Sequence, residues 1–195
     1  MAKASEENTE TPPAFSALLQ AAASGKRNPP VDQWNPALCG AIDVRIAADG
    51  TWYHEGRPIR RSRLVKLFSS ILRKDEDGVT YLVTPHEKLS IRVDDAPLVV
   101  VDYAAKPTSK GDVLVLRTSM GDVVEVDERH PLRFIQEVGS YGLKPYVLVR
   151  GRIEALLNRA TTMALVNDER FVDLTQETPV LRSGGQRFPI LPDEV

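Results

Sequence analysis

The stretch TPHEKLSIRVDD, Thr84 to Asp95, gathers a histidine, a lysine, an arginine and three carboxylates into twelve residues. Such a mixture can fix a polar ligand in a crevice, because the cations donate to an anionic group while the carboxylates hold them in place. If Lys88 to Val93 is a strand, Lys88, Ser90 and Arg92 share one face and Leu89, Ile91 and Val93 turn to the core. Thr84, Glu87, Lys88, Arg92, Asp94 and Asp95 are therefore candidate ligand contacts. Asp94 and Asp95 make a poor acid–base pair, since adjacent strand residues point to opposite faces. The competing reading is a hydrated sheet face whose ion pairs are worth at most about 1 kcal/mol each.

Further along, His130 precedes Pro131, with Arg133 beside it, and Arg150 opens the string VRGRIEALLNRA. Ile153, Leu156, Leu157, Ala160 and Ala164 have helical spacing, which predicts a helix whose N-terminus, flanked by Arg150, Arg152 and Arg159, could hold an anion. These residues complete the candidate set, and Lys88, Arg92, His130 and Arg150 are expected to converge on one anionic group. Between Arg57 and Lys74 stand seven cations and no anion. That is a local positive field for a phosphate or acidic partner, or else a solvated helix face partly neutralised by Asp75, Glu76 and Asp77. Nucleic acid is disfavoured, because neither exposed aromatics nor a recognisable module accompanies the charge.

His54, His86 and His130 lack the i, i+4 spacing that puts two ligands on one helix, so no metal is expected. The chain has no dinucleotide glycine fingerprint, P-loop or nucleophile elbow, and neither Cys39 nor any serine stands in a catalytic signature. No catalytic residue and no cofactor are assigned.

Several elements must position these side chains. Phe15, Leu18, Leu19 and Ala22 fall on one helical face before GKRNPP breaks the chain. Residues 1 to 30 are therefore expected to be dispensable for folding. Ile42, Val44 and Ile46 alternate with polar residues ahead of an Asp49-Gly50 turn, which predicts a hairpin into Trp52 and Tyr53. Ser62 is placed to cap a helix with the apolar stripe Leu64, Leu67, Phe68, Ile71 and Leu72, ended by Asp77-Gly78. Val79 to Thr84 and Lys88 to Val93 then read as a strand pair. Short β-rich runs at Leu98 to Tyr103, Val113 to Thr118, Val123 to Val126, Leu132 to Ile135 and Tyr146 to Arg150 predict a curled antiparallel sheet, closed by the C-terminal helix. The stretch from Ser183 reads as a mobile tail.

With 42% hydrophobic residues and a net charge of −2, the composition is that of a globular chain. One cysteine allows no internal disulfide, the acidic start lacks the basic and apolar regions of a secretory signal, and no apolar run can cross a bilayer. A cytoplasmic location is the expectation. The strings DGTWYHEGRPIR (Asp49 to Arg60) and DVVEVDERHPLR (Asp122 to Arg133) share Asp, Glu, Pro, an aliphatic and Arg at equal spacing, which hints at duplication.

The long string from Cys39 to Pro97, together with HPLRF (His130 to Phe134) and VRGRIEALLNRA (Val149 to Ala160), resembles the bacterial family called domain of unknown function 1285. The likeness spans roughly residues 36 to 168. It implies an α+β fold of two similar tandem units, the second superficially like a pleckstrin-homology barrel. The expected division is a tail, helix and linker over 1–33, units over 34–95 and 96–182, and a tail over 183–195. The resemblance also implies a nucleotide-like or phosphate-bearing ligand in the crevice between the units and a part in bacterial signal transduction, with a signalling protein as possible partner. A small hydrolase or transferase and a structural interaction domain are the alternatives, and fold likeness does not choose among them.

Overall fold

The computed structural model describes residues 29–136, 142–175 and 177–190; the helix expected around Phe15 to Ala22 lies outside them. Two six-stranded sheets, one in each half, dominate the chain, with few helices. In the first half β1 (Leu38–Ile46), β2 (Trp52–His54) and β3 (Arg57–Pro58) form a meander, and β4 (Leu72–Lys74), β5 (Thr80–Val83) and β6 (Lys88–Val93) form another. The sheet order is β3-β2-β1-β6-β5-β4, with β1 and β6 parallel and the other pairs antiparallel.

The second half follows the same plan. There β7 (Leu98–Lys106), β8 (Val113–Thr118) and β9 (Val123–Glu125) precede β10 (Leu132–Gln136), β11 (Leu143–Arg150) and β12 (Ile153–Leu157). The order is β10-β11-β12-β7-β8-β9, with β12 and β7 parallel. In both sheets the first strand of the leading meander lies parallel to the last strand of the trailing one. The similar strings at Asp49 and Asp122 do not trace this correspondence. They match β2 and β3 with β9 and β10, whereas the strand order matches β2 with β8.

The turn signals work as expected. At Asp49-Gly50 the Asp49 carboxylate accepts from Thr51 N, and Gly50 takes a φ of 83°. A Cβ there would stand 2.9 Å from Val99 Cγ2, so this glycine also lets the first half approach the second. Asp77 accepts from Val79 N in the same way, and Gly78 has a φ of 78°.

Helix α1 (Ser62–Ser70) is shorter than its apolar stripe suggested. Leu64 N and Val65 N donate to Arg61 O, so Arg61 is the N-cap residue, Ser62 is already helical, and no side chain caps this end. Ile71 closes the helix and Leu72–Lys74 leave it as an edge strand against β5, which makes Asp77-Gly78 a hairpin turn rather than a helix stop. Val65 and Phe68 are buried, Leu64 and Leu67 half-buried, and Phe68 stacks on Trp52 of β2 at 6.2 Å between ring centroids. Among the described residues, the buried apolar side chains of both halves join in one continuous core.

The largest departure from expectation lies at Ile153–Leu157, which is a strand. Gly151 turns the chain with φ 50°, and β12 then runs between β11 and β7. Ile153, Ala155 and Leu157 are buried while Glu154 and Leu156 are half-exposed, a period of two that coexists with helical spacing in the same residues. The C-terminal sheet is therefore mixed rather than purely antiparallel. The helix that follows, α2 (Arg159–Val166), begins six residues past the expected Ile153 and is capped by Asn158, whose side chain accepts from Thr161 N at 2.8 Å. It lies against β7, where Tyr103 Oη donates to Ala164 O and Asp168.

Residues 183–189 belong to a sheet rather than to a loose tail. β13 (Val172–Asp173), β14 (Val180–Ser183) and β15 (Gln186–Pro189) form a small antiparallel sheet. The buried Ser183 hydroxyl accepts from Leu114 N and donates to Val126 O, tying this sheet to the second unit. At the other end Val31, the first residue after the segment expected to be dispensable, is buried.

A charge cluster anchors that N-terminal segment. Arg73 of β4 donates to Val31 O and Trp34 O at 3.0 and 2.6 Å and grips Asp75 with its other nitrogens, while Lys88 Nζ lies 2.6 Å from Asp75. Burial alone would raise the Asp75 carboxyl, but the hydrogen bonds and charges of Arg73 and Lys88 prevail and hold it below the ordinary aspartate value. A carboxyl depressed in the folded state contributes stability that is whole above its unfolded value and is lost as pH falls through the folded one. Acid unfolding followed by circular dichroism should therefore show a shallower loss of stability below about pH 4 in Asp75→Asn than in the parent. Parallel acid limbs would contradict this.

Candidate functional site

The two units meet along a cleft of about 210 Å³ lined by Lys74 of β4, Asp95 to Pro97 of the connection, Arg133 and Ile135 of β10, Tyr146 of β11, Arg152 of the β11–β12 turn and Glu154 of β12. Its wall is built by register. Arg133 faces Tyr146 across β10 and β11, and Glu154 faces Leu148 on the next strand, so the three side chains form a diagonal row. Arg133 binds Glu154 with two parallel hydrogen bonds of 2.5 and 2.7 Å, and its guanidinium lies 4.8 Å over the Tyr146 ring. Tyr146 Oη donates to Asp95 Oδ1 at 2.7 Å, and Lys144 Nζ sits 3.0 Å from Asp95 Oδ2. Burial, then the hydrogen bond and charge of Asp95, push the Tyr146 phenol well above its usual value, so it stays a protonated donor.

The cations at the cleft differ in how they are held. Arg133 is committed to Glu154. Among the described residues Arg152 meets only Glu76, at 2.7 Å, where the two side chains are 57% and 86% exposed. Such a pair contributes little and exchanges easily for another anion. Lys74 has no carboxylate partner among the described residues. Thus Lys74 and Arg152 are available cations, Arg133 is a fixed floor, and Ile135, Ala96 and Pro97 add an apolar side. A cleft of this size is below the roughly 300–1,000 Å³ usual for ligand pockets, and suits a phosphoryl or carboxylate group with a short carbon skeleton better than an enclosed nucleotide.

Of the residues expected from sequence, Asp95 and Arg133 enter this cleft. The others have separate employment. Thr84 is buried and its hydroxyl accepts from Glu87 N, shaping the β5–β6 turn, while the Glu87 side chain is half-buried there. Lys88 serves Asp75 and lies 4.2 Å over the Tyr81 ring. Arg92 is 72% exposed and 3.7 Å from Asp94, which is bound more closely by Arg45 at 2.5 Å. His130 places Nδ1 2.9 Å from Leu148 O. Arg150 bridges the units, donating to Asp122 Oδ1 at 2.7 Å and to Ser69 O at 2.6 Å.

Lys88, Arg92, His130 and Arg150 therefore do not share one anionic group; each answers a different oxygen. The anion site imagined at a helix start near Arg150 also disappears, because a strand turn stands there. Among the described residues no three His, Cys, Asp or Glu side chains gather as a metal site, and no helix is long and apolar enough to cross a membrane.

Sequence reasoning passed over Lys74 and Tyr146. Lys74 belongs in sequence to the run that reads as a solvated helix face, and only the edge-strand fate of Leu72–Lys74 turns it to the cleft. The polar Glu154 between Ile153 and Ala155 was the available signal that this segment alternates.

Residues 29–96 match the family model described as the N-terminal domain of DUF1285, a domain of unknown function, and residues 97–190 match its C-terminal domain. A DUF1285 family protein from Silicibacter pomeroyi, known by its crystal structure, is 40% identical with a TM-score of 0.80, over 90% of this chain and 95% of that one. A second crystal structure, of a DUF1285 family protein from Shewanella baltica, is 27% identical over 64% of this chain and 90% of that one, with a TM-score of 0.49. No curated protein matches the chain. With both halves matched in tandem, the chain belongs to the DUF1285 family.

Proposed function

We propose that this protein is a binding module for a small phosphate-bearing molecule, which sets its anionic group between Lys74 and Arg152 in the inter-unit cleft. The observation that carries the reading is an ammonium that has no carboxylate partner among the described residues, lining the same cleft as an arginine whose carboxylate partner Glu76 is almost fully exposed, with both units contributing to the walls. Arginine and lysine together suit phosphate, one through its planar fork and the other as a compact point charge. The rest of a nucleotide-like ligand would lie outside the cleft, along the sheet face near Tyr146.

Binding is favoured over hydrolysis or group transfer because both cleft carboxylates are already held. Glu154 takes two bonds from Arg133, and Asp95 is bonded by Tyr146 and Lys144, which leaves neither poised to accept a proton. In this reading the two units are products of duplication, supported by their shared strand order, and the second is the pleckstrin-homology-like one. Occupancy of a cleft between two such units could be reported to a signalling partner in a bacterial cytoplasm, since a ligand touching both biases how they sit.

Calorimetric titration with inorganic phosphate, pyrophosphate and a mononucleotide tests the proposal. At least one should bind, and Lys74→Gln or Arg152→Gln should weaken it by about 1.5–3 kcal/mol, the scale of a charged hydrogen bond, without lowering the melting temperature. Binding unchanged in both variants, or consumption of the ligand, would overturn it.

A further inference from the structure

Arg57, Arg60, Arg61, Arg63 and Lys66 occupy ten residues from β3 to the middle of α1, and all five are exposed. Among the described residues none of them has a carboxylate within salt-bridge distance, whereas twelve other lysines and arginines do. The acidic run that follows in sequence offers no relief. Asp75 is taken by Arg73 and Lys88, Glu76 by Arg152 and Asp77 by Tyr81. With a formal charge of −2 overall and +5 on this segment, the remainder of the chain carries −7 (−2 − 5 = −7). The five cations are thus uninterrupted by any carboxylate, and the segment also holds the start of α1, which has no acidic residue in its first turn and no side-chain cap.

We infer that this face docks the protein on an anionic lipid surface, independently of the cleft. A planar bilayer can meet these five cations without the rest of the chain lying along it, whereas a nucleic acid long enough to bind tightly would run past ten residues onto a remainder whose net charge is negative like its own. No large exposed apolar side chain lies in the segment, and on the apolar side of α1 Val65 and Phe68 are buried, Phe68 against Trp52. Contact is therefore with headgroup phosphates alone, without insertion into the acyl region. Pro58 on the β3 edge prevents the alternative of strand addition by a peptide at that position.

Sedimentation of the full chain with vesicles of phosphatidylcholine, or of equal parts phosphatidylcholine and phosphatidylglycerol, reads this directly. The chain should sediment with the mixed vesicles, not with the neutral ones, and should be released as salt rises toward about 1 M, where screening shortens to roughly 3 Å. Each cation removed should lower partitioning about fivefold, so Arg60→Gln, Arg61→Gln and Arg63→Gln together should lower it by about a hundredfold. Should that triple variant melt early, Arg57→Gln with Lys66→Gln gives the same reading from the flanks. Equal binding to both vesicles, no binding to either, an unaffected variant, or binding of a duplex DNA but not of vesicles would overturn the inference.

Discussion

Phe68→Ala should cost about 3–5 kcal/mol of unfolding free energy, the largest loss expected from any single change in the first unit. The ring is fully buried and stacked on Trp52, and it is the largest buried side chain of α1. α1 is nine residues long and has no capping side chain, so its stability comes from this packing rather than from its own hydrogen bonds. For a chain of this length the loss corresponds to a fall of about 6–20 °C in melting temperature. Denaturant unfolding of the variant checks it. A change within roughly 0.5 kcal/mol, the surface range, would mean that α1 does not pack as described.

Arg150→Met should be the second most costly change, at about 2–4 kcal/mol. The guanidinium is three-quarters buried, binds Asp122 of the second unit and reaches the Ser69 carbonyl of the first, where Ser69 is itself buried. Methionine keeps the stem's packing but leaves the Asp122 carboxylate, itself mostly buried, without its cation. Removing one partner of such a pair is costly, and partial exposure brings the figure below that of a fully buried pair. A second readout separates this junction from ordinary core loss, since amide exchange should rise at the end of α1 and in the β8–β9 turn. Unfolding within roughly 0.5 kcal/mol of the parent, with exchange unchanged at both places, would show that Arg150 does not couple the units.

How much of this was legible depended on distance along the chain. Asp49-Gly50 and Asp77-Gly78 announce hairpins because an Asx side chain and a glycine with positive φ act within four residues. The alternation in Lys88–Val93 declared its own faces for the same reason. Ile153 to Leu157 was misread because its apolar residues satisfy both periods. The choice was made by β7, more than fifty residues earlier, whose open edge takes β12 in parallel. Leu72–Lys74 left the helix for a similar cause, the pairing offered by β5.

The site obeyed the same limit. Residue types capable of binding an anion were visible, and Asp95 and Arg133 were among them, but which cation remains available is decided by partners far off in sequence. Arg133 is satisfied by a carboxylate 21 residues away, whereas Arg152 meets only an exposed one, 76 residues away, among the described residues. Lys88, by contrast, is neutralised by Asp75, an aspartate that reading along the strand could not assign to it. Charge composition proposes a site, and the sheet register decides who is left free to serve it.

The central claim is the place where the anionic group sits. Amide chemical-shift mapping during titration with inorganic phosphate and then pyrophosphate tests it most directly. The account predicts saturable shifts centred on Lys74, Ala96, Ile135 and Arg152, lost in Lys74→Gln. Shifts centred instead on Lys88, Arg92 and His130, or no saturable shift at the cleft, would contradict it.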